Sequence, residues 1–372
     1  MQEDIVIHHD ATALTGMNTE DETTLISNGL YDKILGSDKK MFDAEKQVID
    51  SLQKVVHKNT APLTGNCVYF CRRLLMKWMP NLDVFFTNPI IETDSVKELA
   101  HRWYPSHYLK PPQRRETQEG DKKKNALNEI AYYEEELKHY KTKVFREPNG
   151  RKGKLEFTGL EEEKKLEDRG DNKAGRIVWM DCAMVQWKNG KPYYGEETSG
   201  FDYIMEVVLV VTDRLLDVVA RMEFNVAINE DVRHLVDHDP AIIHGNYNRA
   251  RVKLQNRCEM AFLRAFLDER VVVDMNDARE TVFQFVKTHV TRKQAPLAGN
   301  IVFMERLFLM KYMRNVHDYL SPHLIVVESI KMLALHWVID MRPYTRPVTN
   351  GAREDIDQTI KELKYYKRHA FK

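Results

Sequence analysis

At 372 residues with 43% apolar content, the chain is longer than one core comfortably serves and long enough for two domains of ordinary size. Its 56 Lys and Arg cancel its 56 Asp and Glu, which excludes the global basic field of a long-duplex binder and leaves room for a short or locally held nucleic-acid ligand. No apolar run approaches the ~20 residues of a membrane span. The segment Met1–Asp10 is acidic where a transit peptide would be Arg-rich, and Cys67, Cys71, Cys182 and Cys258 form neither a CxxC pair nor a framework; the expectation is a soluble, cytoplasmic protein with reduced thiols and no membrane partner.

Along the chain the first signal is a repeat. Ala61-Pro-Leu-Thr-Gly-Asn66 returns as Ala295-Pro-Leu-Ala-Gly-Asn300, at an offset of 234 (Gly65 against Gly299). At the same offset Leu74-Leu-Met-Lys-Trp-Met79 matches Phe308-Leu-Met-Lys-Tyr-Met313, Ser95 matches Ser329 and Trp103 matches Trp337. Ala126 to Phe145 then matches Ala352 to Phe371 at an offset of 226, so a loop of the second copy is eight residues shorter. Loops tolerate such changes. Between the copies, Arg146 to Gly175 is rich in charge and glycine and reads as a linker, with a solvated helix over Glu161–Arg169 as an equally good account. The expected organisation is a first copy over residues 1–145, a linker over 146–175 and a second copy over 176–372.

In the second copy, Ile177–Asp181 and the β-branched run Ile204–Thr212 predict buried strands, and the alternation of Ala220–Ile228 predicts a third, together an antiparallel meander. Val282, Phe283, Phe285 and Val286 cover one face of a helix over Glu280–His289. The Gly299-Asn300 turn opens a helix over Val302–Met313; a strand at Leu324–Val327, a helix over Ser329–Trp337 and a last helix from Ala352 to Tyr366 follow. Three antiparallel strands followed by alternating helices and strands is the order of a ribonuclease-H-like exonuclease, an α/β fold on a mixed sheet, here expected as a tandem repeat.

Gly299-Asn-Ile-Val-Phe-Met-Glu-Arg306, Lys361-Glu-Leu-Lys-Tyr-Tyr366, Ile177-Val-Trp-Met-Asp181 and Asp355-Ile356 occur in the order and spacing of oligoribonuclease, which the second copy resembles over essentially all of its length. The resemblance implies a DEDD-family exonuclease that degrades very short RNA from the 3′ end, with two Mg²⁺ or Mn²⁺ ions held by four carboxylates and a histidine as general base. Hard divalent ions want oxygen ligands, and a pair of them steadies the attacking and leaving oxygens of an in-line displacement. The first copy resembles the same family from Ile5-Val-Ile-His8, in what would be the third strand, through Lys97-Glu-Leu-Ala-His-Arg-Trp-Tyr-Pro105; the two central strands have no counterpart before it.

Carried over by motif, the resemblance implies Asp181 as the first acid, Glu305 at an aspartate position, Asp355 as the last acid and Asn350 at the place of the general-base histidine. Ala183 stands where the family has a second acid and ligates nothing. Asn350 is an amide that exchanges no proton near pH 7, and loss of a general base typically costs about 10² to 10⁴ in rate. The extra methylene of Glu305 displaces its carboxylate by about 1 Å, which can cost on the order of 100-fold. Ordinary structural readings stand beside these: acids in the first turn of a helix, as Glu354 and Asp355 are, suit the helix dipole, and Glu305 reads as solvated. Val326-Val-Glu-Ser329 places Glu328 where a phosphate would approach, and Leu335-His-Trp-Val-Ile339 puts His336 at a phosphate-binding arginine's position without its fork. In the first copy Cys71, Lys124 and Glu129 occupy acid, histidine and acid positions, while Arg102-Trp-Tyr-Pro105 is kept; the basic stretches Lys110–Arg115 and Lys122–Lys124 could touch RNA but read better as a solvated loop.

The leading expectation is a degenerate oligoribonuclease that binds short single-stranded RNA or a protein partner with feeble or absent hydrolysis. The alternatives are a working 3′–5′ exoribonuclease using Asp181, Glu305 and Asp355 with one metal ion or a relocated acid such as Glu354, and an interaction scaffold without nucleotide affinity. Because the family acts as a homodimer, the second copy could supply the dimer partner within one chain.

Overall fold

The computed structural model describes residues 5–27, 29–87, 89–104, 106–112, 126–146, 173–188, 191–192, 202–226, 272–273, 275–349 and 351–372. The linker core at 147–172, Lys124, Cys258 and Asn350 lie outside these, as do residues 113–115 of the basic stretch that reaches Arg115. Among the described residues no helix is long and apolar enough to cross a membrane. The chain divides into two compact units, Met1–Thr93 with Lys110–Tyr140, and Asp94–Leu109 with Lys141–Lys372, so the units cut across the repeat.

In chain order the described elements begin with α1 (Ala11–Leu14), α2 (Thr19–Ser27), α3 (Leu30–Gly36), α4 (Met41–Leu52), β1 (Leu63–Gly65), α5 (Val68–Trp78), α6 (Pro80–Asp83), β2 (Ile90–Glu92), α7 (Thr93–Trp103), α8 (Ser106–Leu109) and α9 (Ala126–Val144). There follow β3 (Ile177–Lys188), β4 (Lys191–Pro192), β5 (Asp202–Thr212), β6 (Val218–Val226), β7 (Val272–Val273), α10 (Met275–His289), β8 (Leu297–Gly299), α11 (Phe303–Tyr312), α12 (Arg314–Tyr319), β9 (Leu324–Val326), α13 (Val327–Trp337) and α14 (Ala352–His369).

The first unit has a small core of Ala44, Val68, Leu82, Phe85, Ile90 and Ile91. Its two strands pair in parallel, Leu63 opposite Ile90 and Gly65 opposite Glu92. Glu92 uses both carboxylate oxygens to take the first amides of α5, from Cys67 (2.7 Å) and Val68 (3.0 Å), a side chain from the neighbouring strand doing the work of a cap. Ile5–His8 is not the strand that the family order implies. It runs as irregular chain held by the Ser37 hydroxyl on the Val6 carbonyl (2.6 Å) and by the His8 amide on the Lys39 carbonyl (2.7 Å), because the first unit's described sheet is β1 and β2 alone and offers it no neighbour. On α5, Phe70, Leu74 and Trp78 recur at helical spacing and stand 46%, 45% and 53% exposed. At Leu74's repeat position in the second copy, Phe308 is 5% exposed.

The second unit is built on a mixed sheet ordered β7-β6-β5-β3-β8-β9, with β4 folded back on β3. β3, β5 and β6 form the expected antiparallel meander, and β8 joins β3, and β9 joins β8, in parallel. Ile177–Met180 and Val207–Val211 are almost wholly inaccessible, as central strands covered on both faces must be, which is why both read as unbroken apolar runs rather than alternations. The Trp179 indole donates to the Thr212 hydroxyl (3.0 Å) and so spends its polar handle inside the core. α14 packs on β3 and β5, α10 on β6, and α11 against β3. The three-residue β8 was not expected from the sequence; it pairs Leu297 with Leu324 in the same register in which β1 pairs Leu63 with Ile90.

Within this unit, contacts recur in pairs at the repeat's own offsets. Trp103 meets Phe371 edge-on at 4.9 Å, and Trp337 meets Phe145 edge-on at 4.9 Å. Lys367 lies over Trp103 at 5.0 Å and Lys141 over Trp337 at 5.4 Å. Phe145 bridges Phe371 in antiparallel fashion, flanked by bonds from the Arg146 amide to the Ala370 carbonyl (2.9 Å) and from the Lys372 amide to the Val144 carbonyl (2.8 Å).

Candidate metal and nucleotide site

The starts of α11 and α14 are set against β3 and β5, two central strands of the sheet. Gly299 ends β8 so close to β3 that a Cβ there would lie 2.9 Å from Val302 Cβ and 3.3 Å from the Met180 carbonyl oxygen, so glycine suits the close approach of this turn to β3. The Glu328 amide at the start of α13 donates to the Asn300 carbonyl (3.3 Å). At the start of α14 the Ala352 amide donates to the Glu206 carboxylate (3.1 Å), and Glu206, on β5, is the residue paired opposite Ala183. Directly opposed antiparallel positions share a face of the sheet, so the start of α14 is tied to the strand position where the family resemblance places its second acid.

The acids expected at the site take unlike environments. Asp181 is half-buried on β3 opposite Val208. Glu305, in the first turn of α11, is 8% exposed and so is not the solvated residue its sequence context suggests. Asp355 is buried in the first turn of α14, whereas Glu354 beside it is exposed. Glu328 pairs with Lys331 at 3.1 Å, and exposed His336 bonds back to the Met332 carbonyl (2.7 Å) through Nδ1. Among the described residues, no group of three or more His, Cys, Asp or Glu side chains is placed to hold a metal ion.

Asp355 is instead engaged from within the protein. Thr349 donates its hydroxyl to Asp355 Oδ1, and Arg346 reaches the same oxygen at 3.4 Å, the Asp355 carbonyl at 2.7 Å and the Thr359 hydroxyl at 2.7 Å. The other arm of the guanidinium lies 3.6 Å from Glu362. Burial pushes the Glu362 carboxyl up from its ordinary value, and the Arg346 charge pulls it back down. Sequence reading singled out none of Glu206, Arg346 and Thr349. Glu206 interrupts an apolar strand, and a buried acid there could have been flagged; Arg346 and Thr349 sit in irregular chain, where no period marks an inward side chain.

The probable oligoribonuclease of Caenorhabditis elegans is 35% identical over 142 residues, 38% of this chain and 69% of that protein. That of Drosophila melanogaster is 30% identical over 199 residues, 53% of this chain and 82% of that protein. The chain belongs to the oligoribonuclease family. The oligoribonuclease of Mycobacterium avium (strain 104) extends the likeness, at 30% identity over 200 residues, 52% of this chain and 81% of that protein. No family model matches the sequence. Exonuclease I superposes with a TM-score of 0.31 at 11% identity, over 52% of this chain and 41% of that one, too slight a likeness to carry weight.

Proposed function

We propose that this oligoribonuclease-family chain holds short single-stranded RNA and hydrolyses it feebly or not at all. The observation that carries the reading is at position 183, where the resemblance calls for a ligand carboxylate. The chain has alanine there, and the acid opposite it, Glu206, gives a carboxylate oxygen to the α14 amide. A neighbour able to make up the loss is thus committed to holding a helix. With Asp355 taken by Thr349 and Arg346, the donor set does not fit a pair of Mg²⁺ or Mn²⁺ ions. Asn350 supplies no general base. A labelled RNA dinucleotide incubated with Mn²⁺ and then measured for binding by anisotropy separates the possibilities. Binding without cleavage is expected. Brisk metal-dependent cleavage overturns the reading in favour of a working exoribonuclease, and absence of binding favours an interaction scaffold.

The same chain, on this proposal, carries two copies of the fold, which meet as an internal pseudo-dimer. The paired contacts support it: Trp103 with Phe371 and Trp337 with Phe145 are one contact written twice, as a two-fold axis through the Phe145–Phe371 bridge would write it. Light scattering after size exclusion should give one chain per particle; a dimer of full chains counts against an interface satisfied in cis.

A further inference from the structure

We propose that Arg346 is the resident cation of this site, taking the Asp355 carboxylate in place of a divalent ion and fastening the segment 342–349 along α14. The inference rests on the reading that the donor set no longer suits metal, and it says what replaced the metal's charge.

Two carboxylates on one face of α14, Asp355 at 8% and Glu362 at 3% exposure, need compensation, because an unpaired buried carboxylate is costly. Residues 355, 359 and 362 follow one another at i, i+4 and i+7, so a planar guanidinium laid along that face reaches all three. Arg346 does this, with NH2 on the Asp355 carbonyl, its Oδ1 and the Thr359 hydroxyl, and NH1 beside Glu362. A lysine ammonium has no fork to span them. Arg346 does not reach in alone. Upstream, the Arg342 carbonyl accepts from the Tyr365 hydroxyl (3.0 Å), the Tyr344 amide donates to the Tyr366 hydroxyl (3.2 Å), and the Tyr344 hydroxyl donates to Gln358 Oε1 (3.0 Å); downstream, Thr349 closes on Asp355. Irregular chain and helix thus combine to aim one cation at one carboxylate. A metal ion seeking Asp355 would have to break this arrangement first.

The test is thermal melting of the full chain, with and without added Mn²⁺, for wild type, Arg346→Met and the double variant Arg346→Met with Asp355→Asn. Wild type should melt at the same temperature with Mn²⁺ or with chelator. Arg346→Met should melt about 5–15 °C lower and regain part of the loss on adding Mn²⁺, while the double variant, with Glu362 as the one carboxylate left to compensate on that face, should recover part of the loss without metal. If Arg346→Met does not fold, recovery in the double variant alone decides. Equal melting of wild type and Arg346→Met overturns the assignment, as does a double variant no more stable than Arg346→Met. A wild type raised by Mn²⁺ without cleaving dinucleotide overturns the assignment alone; cleavage by a wild type whose melting ignores Mn²⁺ overturns the functional reading alone.

Discussion

Glu206 is an acid only 1% exposed, tolerable there because its side chain takes the first amide of α14. Glu206→Ala leaves that buried N–H without its acceptor and should cost about 1–3 kcal/mol, whereas Glu206→Gln keeps an acceptor oxygen and should lose less; urea midpoints of the two variants check the order. The contrast with Asp181, Glu305 and Asp355 explains what a sequence can and cannot disclose about such a site. Those three stand inside motifs, and the resemblance to the family picks them out. Arg346 does its work nine, thirteen and sixteen residues downstream, across a turn of chain that bears no pattern. Only the packing of the segment 342–349 onto α14 brings it there.

Among the elements, the ones found from sequence were those whose burial imposes either a period or an unbroken apolar run. β5 announces itself by a β-branched run, β6 by its alternation, and α10 by Val282, Phe283, Phe285 and Val286 on one helix face. β8 has three residues between Pro296 and Asn300, too few for any period to declare itself, and its pairing with β3 is a property of the sheet rather than of the segment. Ile5–His8 errs in the opposite direction, strand-like in composition but without a strand to lie against. Elements also meet through charge. His323, just ahead of β9, bonds through Nδ1 to Asp94 on α7 at 2.6 Å, and this bond is the first cause of a pKa raised above the ordinary histidine value, against a smaller contrary effect of burial; Glu98 adds to the rise and Lys97 opposes it. A raised folded pKa means stability that is complete below the unfolded value of about 6.5 and lost as pH climbs through the folded one. Denaturant midpoints should therefore fall from about pH 6 to about pH 9 by more in wild type than in Asp94→Asn, whose His323 lacks the charged partner.

At the scale of the whole molecule, the repeat makes comparison possible within one chain. β1 and β2 reproduce the register of β8 and β9, Leu63 against Ile90 as Leu297 against Leu324. In the second unit α11 packs against β3, whereas the first unit's described sheet is β1 and β2 alone, and the corresponding stripe of α5 faces outward. Leu74→Glu should accordingly leave the melting temperature nearly unchanged, within the about 0.5 kcal/mol of an ordinary surface substitution, whereas Phe308→Glu, at the matching buried position, should unfold the second unit. Differential scanning calorimetry of both variants checks the asymmetry.

That outward stripe has a practical side. Three large oily side chains in a row, unsheltered, behave as a handle: the protein will cling to hydrophobic-interaction resin and light up with a solvatochromic dye even in its native state, and crowding it will bring haze before crystals. Whoever purifies it should plan for an ingrained stickiness that belongs to the fold and that refolding will not cure.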